Sequence, residues 1–285
     1  MISRRNFIKL GGATLGASML AGSFPLKLNA MPDSKLKSFG FQVWTIKEDL
    51  FKDFKGTMQK MAKMGYTEME MCSPLGYSDS GFDVFKDMSG KEMRKIIEGV
   101  GLKCRSSHYG FGELRDSLDN RIEWSNQMGI TQIVLSSFWL PEKATLDDYR
   151  KACDELNEIG AKIKKAGLQT GYHNHHMEFE KRDDQLIYDV MMERLDPEIV
   201  KMQFQVAVVN IGYKAADYFR KYPGRFVSAH LSDFSFEKNA QVPIGQGAVD
   251  WKDFFEAAKT GGVKNFFVEM DPETFADSAK FLKKM

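Results

Sequence analysis

From residue 39 onward the chain moves between two hydrophobic rhythms. Short apolar, β-rich runs give way to longer stretches in which apolar residues return every three or four positions among Lys and Glu. The short runs predict eight strands: Phe39–Thr45, Tyr66–Met71, Leu102–Ser107, Gln132–Ser137, Leu168–His173, Val200–Val206, Phe226–Leu231 and Asn265–Glu269. The longer stretches predict helices over Asp53–Met64, Gly90–Val100, Leu114–Met128, Leu146–Ala166, Asp184–Arg194, Ala215–Lys221, Trp251–Ala258 and Phe275–Lys284. Within Leu146–Ala166, for example, Tyr149, Cys153, Leu156, Ile159 and Ile163 fall on one face.

The junctions repeat one signal: MAKMGYTEMEM, IIEGVGLKCRS, SNQMGITQIVL and KIKKAGLQTGY each read as helix, closing glycine, then strand. Alternating units of this kind predict a parallel sheet with helices outside. Eight units suit closure into a (β/α)8 barrel. A doubly wound open sheet would need fewer units and usually a glycine fingerprint between strand and helix; none is present. Gly245 and Gly247 of GQG follow the seventh strand instead. The expected fold class is therefore α/β, a single-domain TIM barrel over residues 31–285.

Residues 1–30 read differently. A basic start, Ser3-Arg4-Arg5-Asn6-Phe7-Ile8-Lys9, precedes an apolar, glycine-rich run that ends near the small residue Ala30. This is the layout of an export signal, and the paired arginines give it twin-arginine character. The expected location is periplasmic or otherwise exported. The run is too short and too rich in small residues to span a bilayer well. Without residues 1–30, which hold Arg4, Arg5, Lys9, Lys27 and no acid, 36 basic residues face 39 acidic ones. That balance gives no reason to expect nucleic acid as a partner. The three cysteines, Cys72, Cys104 and Cys153, are too few and scattered for a disulfide framework or a cysteine zinc site.

The chemistry gathers at the ends of the predicted strands, where such barrels carry their active sites. Trp44 ends the first, Glu70 the second, His108 the third, and Phe138-Trp139 follow the fourth. His173, Asn174, His175 and His176 end the fifth. KMQFQVAVVN in the sixth carries Gln203 and Gln205. His230 ends the seventh with Asp233 behind it, and Glu269 ends the eighth. All five histidines of the chain stand at such ends. A neutral imidazole can hold a metal, orient a hydroxyl or move a proton near neutral pH. Alternation puts His173 and His175 on one face, Asn174 and His176 on the other. Glu178 is placed to hold a histidine's second nitrogen. A buried polar network is the bland reading of the histidines, a solvated carboxylate that of Glu70, and packing that of Trp44, Phe138 and Trp139.

Five segments in order resemble the xylose-isomerase-like barrels, the sugar phosphate isomerases/epimerases: FQVWTIKEDL, MAKMGYTEMEM, GYHNHHMEFE, KYPGRFVSAHLSD and VPIGQGAVDWKDFFEAAKTGGVKNFFVEMD. The resemblance implies one divalent ion (Mn, Zn, Co, Ni or Mg) held by His173, Gln205, His230 and Glu269. It also implies acid/base work for Glu70, His108, His175 and Glu269. Trp44, Trp139, His176 and Asp233 would touch the substrate. Gln205 departs from the family, where Asp is common, and removes a carboxylate from the implied metal set. Ser232 stands where relatives often carry Lys. Together with export, this favours an unphosphorylated keto-sugar or 3-keto-glycoside, isomerised, epimerised or cleaved through an enediolate. Two other readings stay open: a non-catalytic sugar-binding protein or subunit of a sugar-modifying complex, and, less favoured by charge, a metal-dependent endonuclease. Pairing of such barrels into a homo-oligomer is compatible with the sequence.

Overall fold

The computed structural model describes residue 36 and residues 38–285. The export-signal reading of residues 1–30 lies outside them. Eight parallel strands close into a barrel: β1 Gly40–Gln42, β2 Glu68–Cys72, β3 Lys103–Tyr109, β4 Gln132–Leu135, β5 Gln169–His173, β6 Val200–Gln205, β7 Phe226–Leu231 and β8 Asn265–Val268. Each pairs with its sequence neighbours, and β8 returns to β1. The outer helices are α1 Phe54–Met64, α2 Gly90–Gly99, α3 Leu118–Met128, α4 Leu146–Lys165, α5 Ile187–Arg194, α6 Ala215–Lys221, α7 Trp251–Gly261 and α8 Phe275–Leu282.

The local signals act as the sequence indicates. Asp53 caps α1 by accepting from the Gly56 N–H, and Ser89 and Thr145 form capping boxes with Glu92 and Asp148. Gly65 (φ 104°) and Gly129 (φ 77°) close α1 and α3 in the left-handed region that side chains avoid. Between sheet and helices, Met69, Met71, Phe204, Ala229 and Leu231 are fully buried. They alternate along their strands with polar residues on the barrel's inner face: Glu70, Gln203, Gln205 and His230. No helix among the described residues is long and apolar enough to cross a membrane.

Three expectations shift. Leu114–Met128 is not one helix: Phe111–Asp116 and Leu118–Met128 meet at Ser117, whose φ of −137° leaves the helical region. The first helix is tied inward, because its Glu113 accepts a hydrogen bond from Ser73 beside the barrel. The helix expected from Asp184 starts at Ile187. Asp183 and Asp184, both with positive φ, turn a two-residue hairpin between Lys181–Arg182 and Gln185–Leu186 instead. The first strand stops at Gln42, and Trp44–Ile46 continues as a 3-10 turn.

Candidate active site

The inner face of the barrel is polar at its C-terminal end, and one carboxylate organises it. Glu70 is fully buried. Its Oε1 accepts from Ser106 Oγ at 2.6 Å and from Gln203 Nε2 at 2.7 Å; its Oε2 lies 2.5 Å from His230 Nε2 and 3.2 Å from His108 Nε2. Four donors converge on it. Register shifts lie at Met69/Glu70 and at Met202/Gln203, where the chain delivers the two partners to each other. Bulges re-aim side chains in this way beside active sites.

The hydrogen-bond network fixes protons on the rings. A carboxylate only accepts, so Gln203 must turn its NH2 to Glu70 and its Oε1 to His108 Nε2, 2.6 Å away. His108 therefore carries hydrogen on Nε2. His230 meets carboxylates at both nitrogens, Glu70 at Nε2 and Glu269 Oε2 at Nδ1, 2.9 Å away. Both nitrogens carry hydrogen, and the ring is a cation between two anions. Burial opposes that charge, but Glu269 and Glu70 prevail and raise the His230 pKa to about 10. Burial likewise opposes ionised Glu70 and Glu269, and the histidines hold both carboxyls below their ordinary values, Glu70 well below. His173 and His175 go the other way. Burial, then the neighbouring histidines, keeps His173 neutral; burial, acting against the nearby Glu269, brings His175 down to about 4.

Above this floor opens a cavity of about 260 Å³ lined by Gln42, Trp44, Cys72, Tyr77, His108, Ser136, Trp139, His173, His175 and Glu269. The site residues expected from sequence sort accordingly. His108, His173, His175, Glu269, Trp44 and Trp139 meet there. Glu70 and His230 are buried beneath it and touch lining residues, Glu70 at His108 and His230 at His173 and Glu269. Gln205 Oε1 accepts the Ala207 N–H, a group that can only donate, and its Nε2 donates to Glu269 Oε2 at 2.6 Å. His176 is exposed and is not among the lining residues. Glu178 binds no imidazole; it accepts from the Tyr172 hydroxyl and the backbone N–H of His175, which fixes the loop that presents His175.

Asp233 is committed elsewhere. It accepts from the N–H groups of Phe234, Gly245, Gly247 and Val249 and from Trp251 Nε1, so it shapes the loop after β7. Asp233→Ala leaves five donors without their anion. We expect it to lower stability by about 3–5 kcal/mol in urea unfolding; a loss under about 1 kcal/mol would contradict this role.

Two glutamines extend what the sequence suggested. Gln203 shares a face with Gln205 in MQFQV, and that alternation is a readable sign. Gln42 has no such sign; it donates to Cys72 Sγ and accepts from the Trp44 N–H.

The fold family's divalent ion can be tested against these donors. One nitrogen each of His108, His173 and His230 lies within 4.8 Å of the others, close enough to hold one ion. His173 Nδ1 is buried without a partner, as a free ligand atom would be. The residues fit, with His108 in the set in place of Gln205. Filling it would cost His230 a proton.

A β/α barrel with an imidazole-carboxylate cluster at the C-terminal ends of its strands defines a class, and residues 58–285 match the family model described as xylose isomerase-like TIM barrel. The chain belongs to that family. Its fold is shared with a sugar phosphate isomerase/epimerase from Parabacteroides distasonis ATCC 8503 (22% identity, 92% of this chain and 98% of that one, TM-score 0.73). A probable 3-DHS dehydratase involved in petrobactin synthesis, from Bacillus anthracis, is also similar (11% identity, 86% and 98%, TM-score 0.64). So is the IOLI protein, solved with a zinc atom bound (15% identity, 87% and 94%, TM-score 0.60). No curated protein matches significantly.

Proposed function

We propose that this chain is an exported enzyme that removes and returns a proton beside the carbonyl of an unphosphorylated keto-sugar or 3-keto-glycoside. The observation that carries this reading is Glu269. His230 and Gln205 hold its Oε2, while no hydrogen bond among the described residues engages Oε1 at the cavity wall. That is a carboxylate oriented at one oxygen and open at the other, as a general base requires. Neutral His173 and His175 also line the cavity, beside His108, and are suited to hold sugar hydroxyls. Among the described residues lining the cavity there is no Lys or Arg, which supports a substrate without phosphate. Lys47 lies outside it, over the Trp44 ring.

In this mechanism Glu269 Oε1 takes the proton from the carbon next to the carbonyl. His230 stabilises Glu269 before the transfer and loses part of that attraction once Glu269 is protonated. His173 and His175, each a neutral ring with one N–H to donate, hold the oxygens on which negative charge develops. Return of the proton to the former carbonyl carbon, with the hydroxyl proton passing to the former carbonyl oxygen, isomerises the sugar, and return to the other face of the same carbon epimerises it. Departure of a β-substituent gives elimination. A divalent ion held by His108, His173 and His230, with zinc, cobalt or nickel suited to imidazole donors, would polarise the carbonyl.

The test is exchange in D2O. Keto-sugars and 3-keto-glycosides incubated with the protein should gain deuterium beside the carbonyl, read by NMR. Glu269→Gln should slow that exchange by about 10²–10⁴. Tight sugar binding without exchange in any substrate would favour the binding-protein reading, which the neutral Gln205 keeps open.

A further inference from the structure

Among the described non-glycine residues only Trp139, Asp183, Asp184 and Asn239 have positive φ. Asp183 and Asp184 turn one hairpin and Asn239 lies in another, and all three are residue types that tolerate the left-handed region. Trp139 (φ 49°) is not such a type; a bulky residue there is a genuine outlier, and strain of this kind gathers at ligand clamps. It is also 63% exposed, so neither burial nor backbone comfort explains it. Its N–H is held by Ser137 Oγ at 3.2 Å, and its ring stands 5.3 Å from that of His175 on the cavity wall. Trp44, the other exposed tryptophan of the wall, has Lys47 over its ring and Phe82 stacked parallel to it. Trp139 is thus the open aromatic face.

The cavity's chemistry changes with depth. Its floor is polar, with His108, His173 and Glu269; its rim is aromatic, with Trp44 and Trp139. At about 260 Å³ it falls below the range of roughly 300–1,000 Å³ that holds drug-sized ligands. One sugar ring suits that space, and a substituent carried on it would lie at the rim. Leu75, Ile211 and Phe236, also exposed, stand on loops after β2, β6 and β7, on the same side of the barrel. A free monosaccharide offers such a rim little apolar surface to cover.

Resting on the keto-sugar reading above, we infer that Trp139 is a specificity-determining platform for an apolar, aromatic substituent carried on the sugar. The substrate class is then an aryl glycoside, with the sugar on the polar floor and the aryl ring against Trp139.

The experiment uses probes that cannot react. Phenyl β-glucoside and methyl β-glucoside are titrated against the full chain by calorimetry, beside the D2O assay on a keto-sugar without a substituent. The expected result is that phenyl glucoside binds about tenfold more tightly or better, and that Trp139→Gly brings the ratio toward one. Glycine accepts φ 49° without strain, so this variant should melt no lower than the parent, whereas a residue kept for packing would lower the melting temperature. Equal affinities, binding of neither probe, or an unchanged ratio in Trp139→Gly overturns the inference. So does a dimer that Trp139→Gly dissociates, because the face would then be a subunit contact. Exchange without phenyl preference overturns the platform and leaves the chemistry standing; phenyl preference without exchange does the reverse.

Discussion

Glu70→Gln should abolish most activity and destabilise the fold, although Glu70 does not line the cavity. Ser106, Gln203, His230 and His108 all point donors at it. A glutamine offers one acceptor oxygen and an NH2 that must face at least one of those donors. Breaking a buried charge pair of this kind costs about 3–5 kcal/mol. Activity should fall at least about 10²-fold, because His230 loses the anion that holds it against Glu269. The pH profile separates this role from simple packing. In metal-free protein the raised His230 stabilises the fold fully below its unfolded pKa of about 6.5, and that stability is lost as pH rises toward about 10. His175, depressed to about 4, acts oppositely: the fold keeps it neutral, so stability is lost as pH falls from about 6.5 toward 4. Melting temperature should therefore peak near neutral pH. Glu70→Gln should flatten the alkaline side and also remove the acid-side stability that the depressed Glu70 carboxyl supplies, leaving the part that belongs to His175. An unchanged alkaline limb would show that His230 is not held as a cation by Glu70.

Gln205→Asp is the second large effect. The substitution removes the NH2 donor from Glu269 Oε2 and puts a second anion beside it. Without metal, the variant should lose about 1–3 kcal/mol. With metal, the added charge should tighten divalent binding by about 10–100-fold, read as melting temperature against zinc or manganese concentration. Parent and variant with the same metal response would mean that the position does not face the ion.

Much of the fold was legible because it is written in local periodicity. Strand–helix alternation, caps at Asp53, Ser89 and Thr145, and glycines after the helices each act within a few residues. Where the structure departs, a local turn decides at Asp183-Asp184, and elsewhere a partner far off in sequence is engaged. Ser73, forty residues away in sequence, donates to Glu113 of the short helix that ends before Ser117.

The site divides along the same line. The clustering of all five histidines at strand ends and the carboxylates Glu70 and Glu269 were visible in the chain, because barrel closure brings strand ends together whatever their spacing. The jobs of these groups were not. Asp233 and Glu178 are short-range neighbours of candidate ligands, yet backbone N–H groups claim them, a demand that only the folded loops create. The orientation of the Gln205 amide is set by the single N–H of Ala207. The bulges at Glu70 and Gln203 belong to pairing between strands. The sequence by itself determined that imidazoles and carboxylates gather at the C-terminal ends of the strands. Tertiary structure decided which of them are charged, because a proton on His230 depends on two anions brought from strands 160 and 39 residues away.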